Sequence, residues 1–574
     1  MTRAGMREIE TDVLVVGSGA GGLATAVAAA HRRLNVIVAE KEPVFGGTTA
    51  RSGGWMWIPM SGPAVRAGVE DSRDAARTYL MHETGPHFDA ERVDAFLDAG
   101  PHAVAFFESE TALEFDLGPT FADYHPDAPG GVDGGRSIVA RPFDGRALGP
   151  EIRRLRPPLS EITVLGMMIG SGKELLHFFN VTRSPVSAFY VGRLFLRFLL
   201  DMALHGRPMR LTNGNALVGR LAKSAFDKGV ELWTDAPVRR LIRDDSGRVT
   251  GAIVHARDGE VRVIARRGVV LAAGGFPQDA VRRRDLLPHA PSGHEHVSPA
   301  PPGNTGDGLR LGEGAGAAMD TTLPNAAALV PISRPRRRDG TLGTFPHFVD
   351  RSKPGIIAVT RSGRRFVNEA QSYHDFCQAM IARCREEGGP DSEIAAWFVA
   401  DHRAFRKYGL GFAKPAPVPY GHLIRDGYLI RGRTVADLAR RIGADPAALE
   451  ATVAAFNRNA ARGEDPEFGK GSTSYNRSLG DPDHRPNPCV APLATAPFYA
   501  VRLYVGDLGT FAGLRSNGNA QVLDEAGRAI PGLYAAGNDA ASIMGGNYPG
   551  GGITLGPALT FGWIAARHMA GGND

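Results

Sequence analysis

Residues 12–22 read Asp12-Val13-Leu14-Val15-Val16-Gly17-Ser18-Gly19-Ala20-Gly21-Gly22, and the fold follows from how this stretch is read. The run up to Val16 has the continuous apolar character of a parallel strand buried on both faces. An alanine-rich helix is expected from Leu23 to His31 and a second strand from Asn35 to Ala39. Glu40 then closes a βαβ unit of about 30 residues. In this context Gly17 permits a tight turn, Gly19 lets backbone N–H groups reach a pyrophosphate at the helix N-terminus, and Gly22 allows helix and strand to pack closely. Ser18, Ala20 and Gly21 complete the turn. Glu40 is placed to accept hydrogen bonds from ribose hydroxyls, with Lys41 beside it as a further contact. The unit predicts a dinucleotide site, and NAD and FAD both satisfy it.

The 574 residues exceed the size of a single hydrophobic core, so two domains are expected. With 43% apolar and 22% charged residues the composition is that of a globular protein and excludes a disordered or fibrous chain. The 73 glycines fall in clusters, as they do where backbone approaches a ligand. The net charge of +5 is spread among alternating signs, and the patch Arg334, Arg336, Arg337 and Arg338 reads as a solvated loop, so no nucleic-acid partner is expected. Cys377, Cys384 and Cys489 match no metal or haem spacing, so no metal is expected and a reduced compartment fits. Residues 1–11 lack an apolar signal core, which predicts a cytoplasmic protein.

Gly46-Gly47-Thr48-Thr49-Ala50-Arg51-Ser52-Gly53-Gly54 resembles the flavin-contacting loop of the fumarate reductase and succinate dehydrogenase flavoprotein superfamily. The resemblance implies FAD, contacted here by Gly47, Thr48, Thr49, Ser52, Gly53 and Gly54. Members that attach FAD covalently carry a histidine in this loop, and none lies between Gly46 and Trp57, so non-covalent FAD is expected. Further superfamily patterns lie at 269–276, with Ala273 and Gly274, and at 303–308, with Asn304 and Asp307. Another, at 532–538, contains Gly537 and Asn538. These elements imply an α/β fold, a Rossmann-type FAD-binding domain with an inserted α+β cap that carries catalytic residues. The expected division is 1–325 and 501–574 for the FAD-binding domain and 326–500 for the cap. Within the cap, Gly355 to Thr360 reads as a strand and Thr434 to Asn459 as helical.

The stretch from Leu175 to Pro208 is unusually apolar. Its core, Tyr190 to His205, has helical periodicity, and Arg193, Arg197, Asp201 and His205 recur every four residues as one polar stripe. Charge interrupts it too often for a membrane span. Two readings stand: a helix packed on the protein's own core, or a peripheral helix on a membrane surface.

Met544-Gly545-Gly546-Asn547-Tyr548-Pro549-Gly550-Gly551-Gly552-Ile553-Thr554-Leu555 lacks the arginine that fumarate reductases use as proton donor. It resembles the Tyr-Pro-Gly-x-Gly segment of the 3-ketosteroid Δ1-dehydrogenases, in which a tyrosine and a glycine N–H bind the steroid C3 oxygen. Tyr548 and Gly552 are the matching positions, and Thr554 and Leu555 follow as flavin contacts. Asn368-Glu369-Ala370-Gln371-Ser372-Tyr373 resembles the segment whose tyrosine removes the C2 proton, and Asp123-Tyr124-His125-Pro126 the segment whose tyrosine supports that base. The resemblance implies a 3-oxosteroid substrate and reoxidation by a quinone or other acceptor.

The chemistry explains the residue types. Removing a proton α to a ketone builds charge on oxygen, and each donor aimed there lowers the barrier by about 3–4 kcal/mol. Glycine suits the second donor because no Cβ blocks a ring carbonyl from its N–H. A phenol with a reference pKa of about 10 is a weak base at neutral pH, so Tyr373 needs a neighbour, for which Tyr124 is the candidate. A related flavoenzyme acting at steroid C4–C5 or on another cyclic enone remains an alternative, as does a non-catalytic chaperone of this fold. The intact phosphate turn with Glu40 speaks against the chaperone. No second strand-GxGxxG-helix unit for NAD(P)H is found.

Overall fold

The computed structural model describes residues 6–572. Strand Arg7–Val16 lies parallel to Gly259–Leu271 on one side and to Val36–Ala39 on the other. Ala529–Ala535 and Glu231–Trp233 extend this parallel set. Antiparallel strands Gln521–Leu523, Val249–Ala256 and Val238–Arg243 complete the sheet. Val13 and Val15 belong to one hydrophobic core and Leu14 and Val16 to another, so both faces of the strand are covered. The following helix runs Ala20–His31, three residues earlier than expected, because the turn's last residues already form its first turn. Its small side chains let the C-terminal helix Leu555–Met569 cross it closely. A Cβ on Gly562 of that helix would stand 2.6 Å from the Gly21 carbonyl oxygen.

The second sheet is antiparallel where its strands pair: Ala327–Ser333, Phe345–Pro346, Ile356–Val359, Ala396–Ala400, Ile430–Gly432 and Phe498–Thr510. Alternation along it is strict. Ile356 and Ala358 pack with Phe376 and Met380 of helix Tyr373–Gly388, whereas Ile357 and Val359 pack under helices Val435–Ile442 and Pro446–Ala460. The helical run expected over 434–459 is thus two helices, parted before Pro446. Phe498–Thr510 runs through the expected boundary at 500/501, pairing with three strands of this sheet and bridging at Gly506 to Val297 outside it.

The apolar insertion forms helices Lys173–Phe179 and Pro185–His205. Ser184 caps the second helix by accepting from the Ser187 N–H, and Gly206 ends it. Leu194 and Phe198 face inward, while Val186, Phe189, Leu196, Leu199, Leu200 and Leu204 are exposed. Three of the four stripe residues, Arg193, Arg197 and His205, are exposed, and the fourth is not. Asp201 is buried, accepting from the Met209 N–H at 3.0 Å, and Arg197 approaches Asp144 at 3.9 Å. Among the described residues no helix is long and apolar enough to cross a membrane.

Candidate active site

A cavity of about 1340 Å³ opens between the first sheet, the cap and the insertion. Every expected cofactor contact lines it except Gly22. A Cβ on Gly22 would lie 2.1 Å from the Gly17 carbonyl oxygen, so this glycine serves packing, as its place in the turn predicts. Glu40, at the end of Val36–Ala39, is buried and accepts from the Ser18 N–H at 3.3 Å, from the Ser18 hydroxyl and from the Glu42 N–H at 3.0 Å. Burial raises its pKa, and the Ser18 hydroxyl pulls the other way. Lys41 is not a free contact. It is paired with Asp307 and donates to the Thr305 hydroxyl at 3.0 Å, so these charges neutralise each other at the cavity wall.

The loop at 46–54 is fastened to the turn and to the segment at 303–308. The Thr49 hydroxyl accepts from the Ala20 N–H at 3.0 Å, and Asn304 donates to the Thr48 hydroxyl at 3.0 Å. A helix N-terminus and a buried acid on one cavity wall fit the diphosphate and ribose of a dinucleotide. Asp539 was not anticipated. Fully buried, it accepts from the Ala273 and Gly275 N–H groups and holds two flavin-contact segments together, and burial lifts its pKa to about 6. Its position directly after Asn538 was the available signal.

Farther along the cavity, four distant segments bring tyrosines together. Tyr124, Tyr373 and Tyr548 line the wall and are almost wholly buried. The Tyr124 hydroxyl donates to that of Tyr373 at 2.9 Å. The Tyr548 ring lies parallel to Tyr124 at 5.4 Å and edge-on to Tyr373 at 4.8 Å. The loop carrying Tyr548 is pinned to that of Tyr124, because the Pro549 carbonyl accepts from the Tyr124 N–H at 2.8 Å and from the Tyr79 hydroxyl at 2.6 Å. Tyr373 opens its helix, where the Ser372 hydroxyl accepts from the His374 N–H at 3.2 Å.

Gly552 lines the cavity, and among the described residues no hydrogen bond takes its N–H. The reason for glycine here differs from the one expected. At φ +103° an added Cβ would meet the Trp55 and Met56 backbone at 2.4–2.5 Å, so strand Trp55–Trp57, rather than an incoming ligand, forbids a side chain.

Burial pushes the Tyr373 and Tyr124 phenols well above their ordinary value, and Tyr548 also rises. Tyr124 gives Tyr373 a hydrogen bond but no charge. A positive charge lies close by, on a residue the sequence reading missed. Arg351 is wholly buried, and its guanidinium lies 5.6 Å from the Tyr373 ring centroid. It donates to the Glu369 carbonyl at 2.8 Å, to the Gln371 carbonyl and to the Tyr475 hydroxyl at 2.9 Å. Among the described residues no carboxylate lies within 4.0 Å of it. Tyr475, also missed, packs 4.4 Å from Tyr124. Arg351 works against the burial of the neighbouring phenols, pulling Tyr475 and Tyr124 down. The assembly is equipped to take a proton and to hold an oxyanion beside a dinucleotide site.

The FAD binding domain family matches residues 12–555. The chain is 44% identical over 564 residues to 4-oxocyclohex-2-ene-1-carboxylate 5-dehydrogenase of Sinomonas cyclohexanicum, covering 98% of this chain and 94% of that one. It is 37% identical over 569 residues to 3-oxosteroid 1-dehydrogenase of Mycobacterium tuberculosis, covering 98% of each. Among solved structures, 3-ketosteroid Δ1-dehydrogenase from Sterolibacterium denitrificans, in complex with 1,4-androstadiene-3,17-dione, superposes with a TM-score of 0.90. The two are 35% identical, and the match covers 98% of this chain and 99% of the other.

Proposed function

Since the chain belongs to the 3-ketosteroid Δ1-dehydrogenase family of FAD-dependent oxidoreductases, we propose that it desaturates the C1–C2 bond of 3-oxosteroids through its tyrosine cluster. The observation that carries this is the 2.9 Å hydrogen bond between Tyr124 and Tyr373 on the wall shared with Tyr548, Gly552 and the dinucleotide site. Tyr373 takes the proton from C2, and Tyr124 holds its hydroxyl in place. Arg351, acting across the Tyr373 ring and through Tyr475, offsets the negative charge left on the phenol. Tyr548 and the Gly552 N–H hold the C3 oxygen as charge develops on it. Bound FAD supplies the two-electron acceptor for the hydrogen leaving C1. The chain holds FAD without a covalent bond, so acid precipitation releases all flavin into the supernatant. A 3-oxo-4-ene steroid incubated with an artificial electron acceptor tests the reaction. Loss of two mass units with a cross-conjugated ring-A dienone spectrum is expected, and a new double bond elsewhere in the ring refutes the regiochemistry.

The relative that acts on 4-oxocyclohex-2-ene-1-carboxylate gives a second substrate class, a single ring bearing a ketone. The same residues perform the same α,β-desaturation on it, and turnover of that ring in preference to the steroid favours this class.

The insertion supports a peripheral membrane role. Seven large apolar side chains of helix Pro185–His205 face outward, while Val191 and Phe195 of the same helix line the cavity. An apolar substrate dissolved in a bilayer then meets the cavity beside the docked helix. Flotation with liposomes tests this: wild type rises with them, and a variant with Phe189, Leu196 and Leu200 changed to serine stays below. Equal flotation of both returns the helix to an intramolecular role.

A further inference from the structure

Among the described residues, two lysines on the cap side of the cavity have no ion-pair partner within 4.0 Å. Lys353 is 2% exposed and lines the cavity, and its ammonium donates to the Leu479 and Gly480 carbonyls at 2.7 and 2.6 Å while facing the Phe179 ring at 5.0 Å. Lys414 also lines the cavity. It donates to the Glu161 carbonyl at 3.0 Å, and its remaining neighbours are the Phe345 and Phe412 rings at 4.7 and 5.6 Å. The nearby carboxylates make their hydrogen bonds to other groups. Asp481 is held by Lys407 and Tyr408, and Glu161 by Arg337 at 2.7 Å. One oxygen of Asp350 is held by His347 at 2.6 Å and by the Gly411 N–H at 2.9 Å, and its other oxygen, without a hydrogen-bond partner, acts on both lysines only from beyond ion-pair distance. Burial lowers both lysines to about 8, which leaves them mostly charged at neutral pH. Two desolvated cations without a carboxylate in direct contact are costly in an apolar wall, and an anion that joined them would offset that cost.

Their position gives the anion its place. Phe345, Phe348 and Lys353 of the segment 345–353 all line the cavity. Phe348 touches the Tyr373 ring at 5.7 Å, and Phe345 carries Lys414. The cationic wall therefore continues from the proton-abstracting end of the site. We propose that Lys353 and Lys414 form a subsite for a carboxylate carried by the substrate remote from its ring ketone, so that the preferred substrates are oxo acids rather than neutral ketones. This rests on the desaturase reading above. Each lysine keeps an N–H that the described carbonyls do not use, enough for a charge-assisted hydrogen bond from each.

The test uses the FAD-loaded full chain with two probes, a 3-oxo-4-ene steroid bearing a side-chain carboxylate and its methyl ester. The acid is expected to show a kcat/KM about tenfold or more above that of the ester, as one or two charge-assisted bonds would give. In Lys353→Met and Lys414→Met the ratio should fall toward one. Equal use of acid and ester by the wild type overturns the subsite while leaving the desaturase reading intact, and so does a ratio unchanged in both variants. Oxidation of neither compound sinks the desaturase reading and the subsite with it. The wild-type ratio decides alone if a variant does not fold.

Discussion

The dinucleotide wall and the tyrosine cluster face one cavity but are built by opposite means. The first is largely backbone. Its glycines bring the backbone at the start of helix Ala20–His31 to the place where a diphosphate would lie, the Ala273 and Gly275 amides are tied down by Asp539, and side chains are mostly kept out. The second is almost entirely side chain, four tyrosines and an arginine drawn from 124, 351, 373, 475 and 548 and held by ring packing and hydroxyl contacts. A backbone site is defined by what cannot be added to it. A side-chain site is defined by what cannot be removed. Substitutions should therefore fail in different ways on the two walls.

The largest effect is expected from adding to the first wall. Gly22→Val places atoms inside contact distance of the Gly17 carbonyl and should yield no folded flavoprotein. Recovery of yellow, soluble protein would show that the backbone there yields. Removing from the second wall should leave flavin bound and abolish chemistry: Tyr373→Phe is expected to lower anaerobic flavin reduction by roughly 10²–10⁴. Exchange of the C2 proton with deuterated water should stop as well, and exchange at the wild-type rate moves the base elsewhere. Tyr548→Phe should cost roughly 10²–10³ in turnover with a smaller change in KM, since the oxyanion donor acts mainly on developing charge.

A smaller effect with a distinct signature is expected at Arg351. The active form of the base is the phenolate and burial raises its pKa, so flavin reduction should climb with pH from neutral and be lost as pH falls. Removing the cation in Arg351→Gln should shift that climb further alkaline and slow reduction at pH 7 by about 10- to 100-fold. Arg351→Lys should restore part of it. An unshifted profile in Arg351→Gln would make the arginine a purely structural tie between the Glu369 and Gln371 carbonyls.

The same division governs what the sequence could reveal. The first wall is coded in short segments whose spacing is set by steric contact, so the strand, the turn and Glu40 could be read residue by residue. Tyr124, Tyr373 and Tyr548 could be proposed only because their neighbouring residues resemble a family. Arg351 and Tyr475 have no such local frame, and only folding sets them beside the cluster. The insertion could be read only in part for a related reason. Periodicity identified helix and stripe but not the one stripe member that turns inward, because Asp201 finds its acceptor role through the Met209 amide, beyond the helix end. The cap boundary was drawn where flavin motifs resume, whereas strand Phe498–Thr510 is claimed by its pairing partners.

The close crossing of Gly562 over Gly21 also orders events during synthesis. The first turn and helix emerge from the ribosome early, yet the strand and helix that buttress them, Ala529–Ala535 and Leu555–Met569, are made far later. The nascent cradle must wait for these distant residues, a long-range closure that slows folding and leaves apolar surface uncovered in the interval. Flavin capture thus waits on a partner coded far downstream, and a chain without this helix exposes the Ala20–His31 face it covers.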